Sequence, residues 1–229
     1  MTSLTQITLE VTDPAAAEGF YGASGLGAHV RLRAAAADVP SEGFRGFAVS
    51  LTVPRPADVR ALVDAAAAAG ATVLKAAAKS FWGYGGVVRA PDGTVWKFAS
   101  SEKKEKGPAT GRVERVVLLL GTTDMTATKE FYVAHGLTVA RSFGRKYVEF
   151  AGAEGSVTLA LYPRRALAKD VGVPDDGSGA HRVALGGGRA RFSDPDGFAW
   201  EPQPQAEAEA EAEPQAEAEP QAEAEPAGR

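Results

Sequence analysis

The sequence contains an internal repeat, and this constrains its fold more than any other feature. Five residues recur 111 positions later: Asp13, Phe20, Tyr21, Gly25 and Leu26 correspond to Asp124, Phe131, Tyr132, Gly136 and Leu137. A second pair of segments, APDGTVWK at 90–97 and DPDGFAWE at 194–201, recurs with a spacing of 104. Solenoid repeats have much shorter periods, of about 20 to 50 residues. The sequence therefore predicts a duplicated domain whose two halves build a pocket between them.

The composition excludes several classes of protein. The 229 residues include no cysteine, which rules out disulfides and thiolate chemistry. No apolar segment approaches the roughly 20 residues of a membrane span, and the N-terminus has no signal region before its first predicted strand. The only cluster of basic residues is Lys103, Lys104 and Lys106, which gives little support for nucleic-acid binding. We therefore expect a soluble, cytoplasmic protein without nucleic-acid or membrane partners.

The acidic charge is concentrated in the C-terminal tail. Residues 203–229 hold eight glutamates and one arginine, which is −7, so the preceding residues carry +3 of the total of −4. Alternating Ala and Glu interrupted by Pro cannot form a packed core, so this tail is predicted to be disordered, as a spacer or solubilising segment. The predicted domains are 1–101 and 112–202, joined by the linker 102–111. A further class of function, an adaptor that works through the acidic repeat, remains open.

Each half begins with a strand that is followed by a helix. Residues 5–12 alternate as in a strand, and Asp13-Pro14 is a typical helix start. The first half has a second amphipathic helix, at 56–69, for which the second half shows no counterpart. The second half instead shows three successive predicted strands, at 137–142, 146–150 and 156–162. Each half is thus shortened in a different place.

This order of elements resembles the vicinal oxygen chelate superfamily, which includes glyoxalases, bleomycin resistance proteins and extradiol dioxygenases. The resemblance rests on the Asp-capped helix with FY and GL, on FWGYGGVVRAPDGTVWKF and on FSDPDGFAWE, and it covers nearly all of residues 4 to 202. It implies an α+β fold of βαβββ modules, whose curved mixed sheets form a cup around a ligand. Because such folds host many functions, the function has to be argued from the site.

The resemblance also implies positions for a divalent metal such as Ni, Zn, Mn or Fe, held by His, Gln and Glu side chains. In the first half these positions fall at Gln6, which can ligate a metal, and at Lys97, which cannot. In the second half they fall at Val117, which cannot ligate either, and at Glu201. His181 lies at a possible ligand position, although a shift of one residue would place an arginine there. Neither half therefore holds a complete set.

Two interpretations of these residues remain. If the halves pair across each other, Gln6, His181 and Glu201 converge on one metal site, and the chain is a metal-dependent lyase or dioxygenase. Otherwise Gln6 and Glu201 are polar residues that line a solvated cup. In that case no cofactor is expected, and the protein binds a small molecule. The incomplete ligand sets favour the second interpretation and leave enzymatic activity open.

Aromatic side chains supply the candidate ligand contacts. Trp82 and Tyr84 lie in a glycine-rich segment before a strand, and large rings bind planar ligands well. Phe47 and Lys97, at the mid-domain and closing positions, are further candidates. The two tryptophans of the closing segments alternate with Lys97 and Glu201, so they are expected to face the helices. A homodimer is compatible with this organisation.

Overall fold

A computed structural model describes residues 3–36, 39–81, 83–153, 155–188 and 190–202. The predicted tail at 203–229 therefore lies outside the described residues. These residues form the α-helices α1 Pro14–Ser24, α2 Pro56–Ala68, α3 Met125–Ala134 and α4 Arg164–Val171, and a short 3-10 helix at Leu26–His29. The strands are β1 Gln6–Val11, β2 Arg31–Ala34, β3 Ser41–Gly43, β4 Phe47–Thr52, β5 Thr72–Lys79, β6 Tyr84–Arg89, β7 Val95–Ser100, β8 Arg115–Thr122, β9 Val139–Ser142, β10 Val148–Phe150, β11 Thr158–Pro163, β12 Gly177–Gly179, β13 Val183–Gly186, β14 Phe192–Ser193 and β15 Ala199–Glu201.

The repeated aspartates start equivalent helices. The Asp13 side chain accepts a hydrogen bond from the Ala16 amide at 3.0 Å, at the start of α1. The Asp124 side chain accepts from two backbone amides at the start of α3, at 2.9 and 3.1 Å. These bonds satisfy amides that have no partner within the helix. Helix α1 ends at Gly25, whose φ of 73° is a left-handed conformation that favours glycine.

Two large sheets each combine strands from both halves of the sequence. The five-stranded sheet has the order β14-β15-β13-β1-β2, and the eight-stranded sheet has the order β5-β6-β7-β4-β8-β11-β10-β9. In the eight-stranded sheet, β4 of the first half pairs antiparallel with β8 of the second half. In the five-stranded sheet, β1 pairs antiparallel with β13. Strands β3 and β12 form a separate two-stranded sheet.

The repeated aromatic residues join the helices to the closing strands. The Trp200 indole donates to the Tyr132 hydroxyl at 3.2 Å, which donates to Asp194 at 2.7 Å. Burial of Tyr132 raises the pKa of its hydroxyl, and the neighbouring Asp194 raises it further. Both closing tryptophans, Trp96 and Trp200, are almost completely buried in the main core. They therefore face the helices, as their alternation in the sequence predicts.

Helix α4 covers the opposite face of the eight-stranded sheet. Its residues Leu167, Ala168 and Val171 are buried in a second hydrophobic cluster with side chains from the sheet, among them Val117 and Ala160. The strand residues that alternate with these point to the other face of the sheet and belong to the main core. The sequence pattern does not predict this helix, because it is only eight residues long and begins with two arginines. None of the helices in the described parts of the chain is long and apolar enough to cross a membrane.

Candidate functional site

The opening strand of each half lies in the same sheet as the closing strand of the other half. In the five-stranded sheet, Gln6 and Glu201 are both register partners of Gly186. In the eight-stranded sheet, Lys97 and Val117 are both register partners of Ser50. This is the pairing across halves that was considered from the sequence. Each sheet therefore has its own candidate site.

One face of the five-stranded sheet is polar. Along β1, Gln6, Thr8 and Glu10 are partly exposed and alternate with buried apolar residues of the main core. Glu201 is partly exposed on the same face, since its neighbour Trp200 is buried in the core. We call Gln6, Thr8, Glu10, Arg33 and Glu201 the polar face of this sheet.

The carboxylates of the polar face bind an arginine. Arg33 donates from Nη2 to Glu10 Oε1 at 2.7 Å, and from Nη1 to both carboxylate oxygens of Glu201 at 3.0 Å. These hydrogen bonds raise the pKa of the Arg33 guanidinium, with the bond to Glu10 as the largest cause. The carboxylate of Glu201, a metal ligand only in the alternative interpretation, is thus already paired with a cation.

His181 is engaged elsewhere. Its Nδ1 lies 2.6 Å from the carbonyl oxygen of Arg45, and its Nε2 lies 2.9 Å from that of Asp196. The imidazole also stacks on Phe198, with 3.9 Å between the ring centroids. Both ring nitrogens therefore face main-chain acceptors, and the histidine ties the loop before β4 to the turn before β15.

The arrangement does not fit a divalent metal. Gln6 and Glu201 lie in one row of the sheet, but the structure does not present His181 to them as a ligand, and Arg33 occupies the carboxylate of Glu201. Across the residues described, no group of three or more His, Cys, Asp or Glu is placed to hold a metal ion.

The candidate site of the eight-stranded sheet lies beside the C-terminal end of α4. The Lys97 ammonium donates to the Asp170 carboxylate at 2.5 Å. Lys75 of β5 donates to the carbonyl oxygens of Lys169 and Asp170, at 3.0 and 2.5 Å. Cations are favoured at the C-terminal end of a helix, where carbonyl groups lack helical partners. The two lysines therefore hold the end of α4 against the sheet.

A cavity of about 240 Å³ lies at this position. Its lining residues come from β5 to β7 and from α4: Lys75, Ala78, Ser80, Gly83, Tyr84, Gly85, Gly86, Val87, Lys97, Ala99, Ser100 and Asp170. The formal charge of these residues is +1, from two lysines and one aspartate. Two of the ligand contacts named from the sequence, Tyr84 and Lys97, thus lie at the same cavity.

The aromatic candidates named from the sequence, Tyr84 included, also make contacts outside this cavity or lie away from it. The Tyr84 ring packs with the main core beneath the Arg60 guanidinium of α2, 5.8 Å from the ring centroid, and its hydroxyl donates to the Ala77 carbonyl at 3.0 Å. Phe47 is 2% exposed in the main core and borders a different cavity, of about 470 Å³. Trp82 lies outside the described residues.

A buried carboxylate on the same side of the sheet was missed from the sequence. Glu149 of β10 is 6% exposed and accepts hydrogen bonds from the Tyr147 hydroxyl and from Arg115, the latter at 3.2 Å. Burial raises the pKa of the nearby Tyr162 hydroxyl to about 12, and the charges of Asp170 and Glu149 add to the shift. The short strand VEF carries no motif that distinguishes its glutamate from a solvated one.

Comparisons with known proteins identify the fold. Residues 4–98 match the family model described as the glyoxalase/bleomycin resistance protein/dioxygenase superfamily. Glyoxalase I from Zea mays has a similar structure, with a TM-score of 0.59 and 14% sequence identity, over 92% of this chain and 95% of that one. A putative dioxygenase from Bacillus subtilis superposes with a TM-score of 0.56 and 13% identity, over 87% of this chain and 84% of that one. No curated protein matches the sequence. The α+β class and glyoxalase-like architecture predicted from the sequence are confirmed.

Proposed function

We propose that this chain, whose residues 4–98 match the model of the glyoxalase/bleomycin resistance protein/dioxygenase superfamily, binds a small organic anion in the cavity of the eight-stranded sheet. The observation that carries the proposal is the convergence of Lys75, Lys97 and Asp170 on a cavity of about 240 Å³. The binding needs no metal. Trp82 remains a proposed additional contact, and an aromatic ring there adds apolar contact area for a planar ligand.

The charge of the lining supports an anionic ligand. A cavity with two lysines and one aspartate has one positive charge in excess, and the walls between them are largely apolar or main-chain groups. Lys97 is only partly exposed, with 24% of its side chain accessible, so its ammonium is screened less by solvent than that of a surface lysine. A carboxylate on the ligand gains most by binding near Lys97, whereas an uncharged analogue of the same shape lacks this interaction.

The size of the cavity limits the ligand to a compact molecule. Ligand pockets for drug-sized molecules have volumes of about 300–1,000 Å³. The cavity here is below that range, because α4 fills much of the sheet face. A monocyclic aromatic acid is therefore a suitable probe.

The experiment compares acids with neutral analogues of the same shape. Para-fluorobenzoate and para-fluorobenzamide are titrated separately with the protein, and binding is followed by fluorine NMR. We expect the acid to bind and the amide to bind more weakly, and Lys97→Met to remove the difference. Lys104→Met, which removes an exposed lysine of the linker, is the matched control. This variant is expected to retain the difference in binding between the acid and the amide.

Two outcomes contradict the proposal. Equal binding of acid and amide by the unmodified protein removes the argument from charge. Metal retained at full occupancy after purification without chelator, and lost in Glu201→Ala, supports the metal-dependent lyase or dioxygenase instead.

A further inference from the structure

Arg33 spans the polar face of the five-stranded sheet. It lies on β2, where it is the register partner of Glu10 on β1. Its side chain also reaches Glu201 on β15, although β1 and β13 lie between β2 and β15 in the sheet. The guanidinium therefore links Glu10 on β1 to Glu201 on β15.

The contacts of this guanidinium resemble those of a bound cation. It interacts with three oxygen atoms of two carboxylates, at 2.7, 3.0 and 3.0 Å. The two glutamates are only partly accessible, with 28% and 26% of their side chains exposed. Without the arginine, two negative charges would face each other on the same side of the sheet. That repulsion has to be balanced by some positive charge.

We propose that Arg33 is a built-in cation that takes the place of a divalent metal ion on this face. The same residue then excludes metal ions, because a guanidinium and a divalent cation cannot share the same carboxylate oxygens without strong repulsion. Removal of its charge leaves the carboxylates of Glu10 and Glu201 as a site for a metal that prefers oxygen ligands, such as Mn²⁺.

The other sheet shows the same kind of substitution. Lys97 occupies the position in the repeat that corresponds to Glu201, and it pairs with Asp170 of α4. Each candidate site thus contains a positive charge supplied by the chain itself and balanced by a nearby carboxylate.

The experiment measures Mn²⁺ binding by equilibrium dialysis and by electron paramagnetic resonance, with Mn²⁺ alone as the probe. The unmodified protein is expected to bind Mn²⁺ weakly. Arg33→Met keeps an apolar stem without the charge, and it is expected to raise the affinity by roughly tenfold or more. Arg33→Lys keeps the positive charge, so this variant is expected to bind Mn²⁺ as weakly as the unmodified protein. Arg31→Ala removes a charge from the same strand and serves as the control.

The double variant Arg33→Met with Glu201→Ala tests the location of the site. Loss of the gained affinity in this variant supports the proposal. A gain that persists without Glu201, a gain that also occurs in Arg31→Ala, or no gain in a folded Arg33→Met overturns it. Circular dichroism establishes that each variant is folded. Binding of para-fluorobenzoate is expected to be unchanged in Arg33→Met, because that cavity lies on the other sheet, so this proposal and the proposed function can fail separately.

Discussion

Leu167→Ala tests whether α4 is a fixed part of the eight-stranded sheet. Leu167 is completely buried in the cluster that α4 forms with the sheet. Replacing a buried leucine by alanine costs about 2–5 kcal/mol, depending on how well the cavity collapses. A helix of eight residues is too short to be stable alone, since isolated helices need about 12–15 residues. We therefore expect a loss of about 3 kcal/mol in the free energy of unfolding.

The assay is thermal and urea unfolding, followed by circular dichroism. For a chain of this size a loss of about 3 kcal/mol lowers Tm by roughly 6–12 °C. Arg165→Ala is the matched control, because it changes an exposed residue of the same helix and is expected to alter stability by less than about 0.5 kcal/mol. Equal stability of the two variants would show that α4 does not pack on the sheet in solution. The cavity beside the C-terminal end of α4 would then lack the side that this helix forms.

Three further predictions concern the core and the helix starts. Tyr132→Phe leaves the Trp200 indole and Asp194 without their shared hydroxyl, so we expect chemical denaturation to show a loss of about 1–3 kcal/mol; an unchanged midpoint would refute the role of this hydroxyl. The difference between absorbance titrations of the unmodified protein and of Tyr162→Phe is expected to show one tyrosine ionising at a pKa of about 12. Since that pKa is above the value of about 10 in the unfolded chain, its contribution to stability is complete below pH 10 and is lost as the pH rises towards 12. Asp124→Ala removes the cap of α3 and is expected to cost about 1 kcal/mol, whereas Asp124→Asn, which keeps a capping oxygen, is expected to cost much less.

The fold was accessible from the sequence because the repeat retains the residues that determine it. The capping aspartates, the aromatic residues of the helices and the tryptophans of the closing strands are local signals that reappear at equivalent places. The alternation of Trp96 with Lys97 correctly assigned the tryptophan to the core. These features depend on neighbouring residues, so a single sequence is enough to read them.

The candidate sites were less accessible because they depend on contacts between distant segments. Arg33 and Glu201 are separated by 168 positions, and their pairing follows only once β2 and β15 are known to share a sheet. Asp170 was missed since the short helix that carries it has no distinctive pattern. The orientation of Tyr84 also required the structure, because glycines at 85 and 86 hide the alternation that would reveal which side of the strand its ring occupies.

The order in which strands pair has a consequence for synthesis of the protein on the ribosome. The Thr5 hydroxyl donates to the Gly186 carbonyl, 181 positions later, and β1 finds its antiparallel partner only there. Strand β1 therefore lacks this partner until most of the polypeptide has been translated. Pairings so distant in the chain make folding slow, and they expose early segments to aggregation until the last strands emerge.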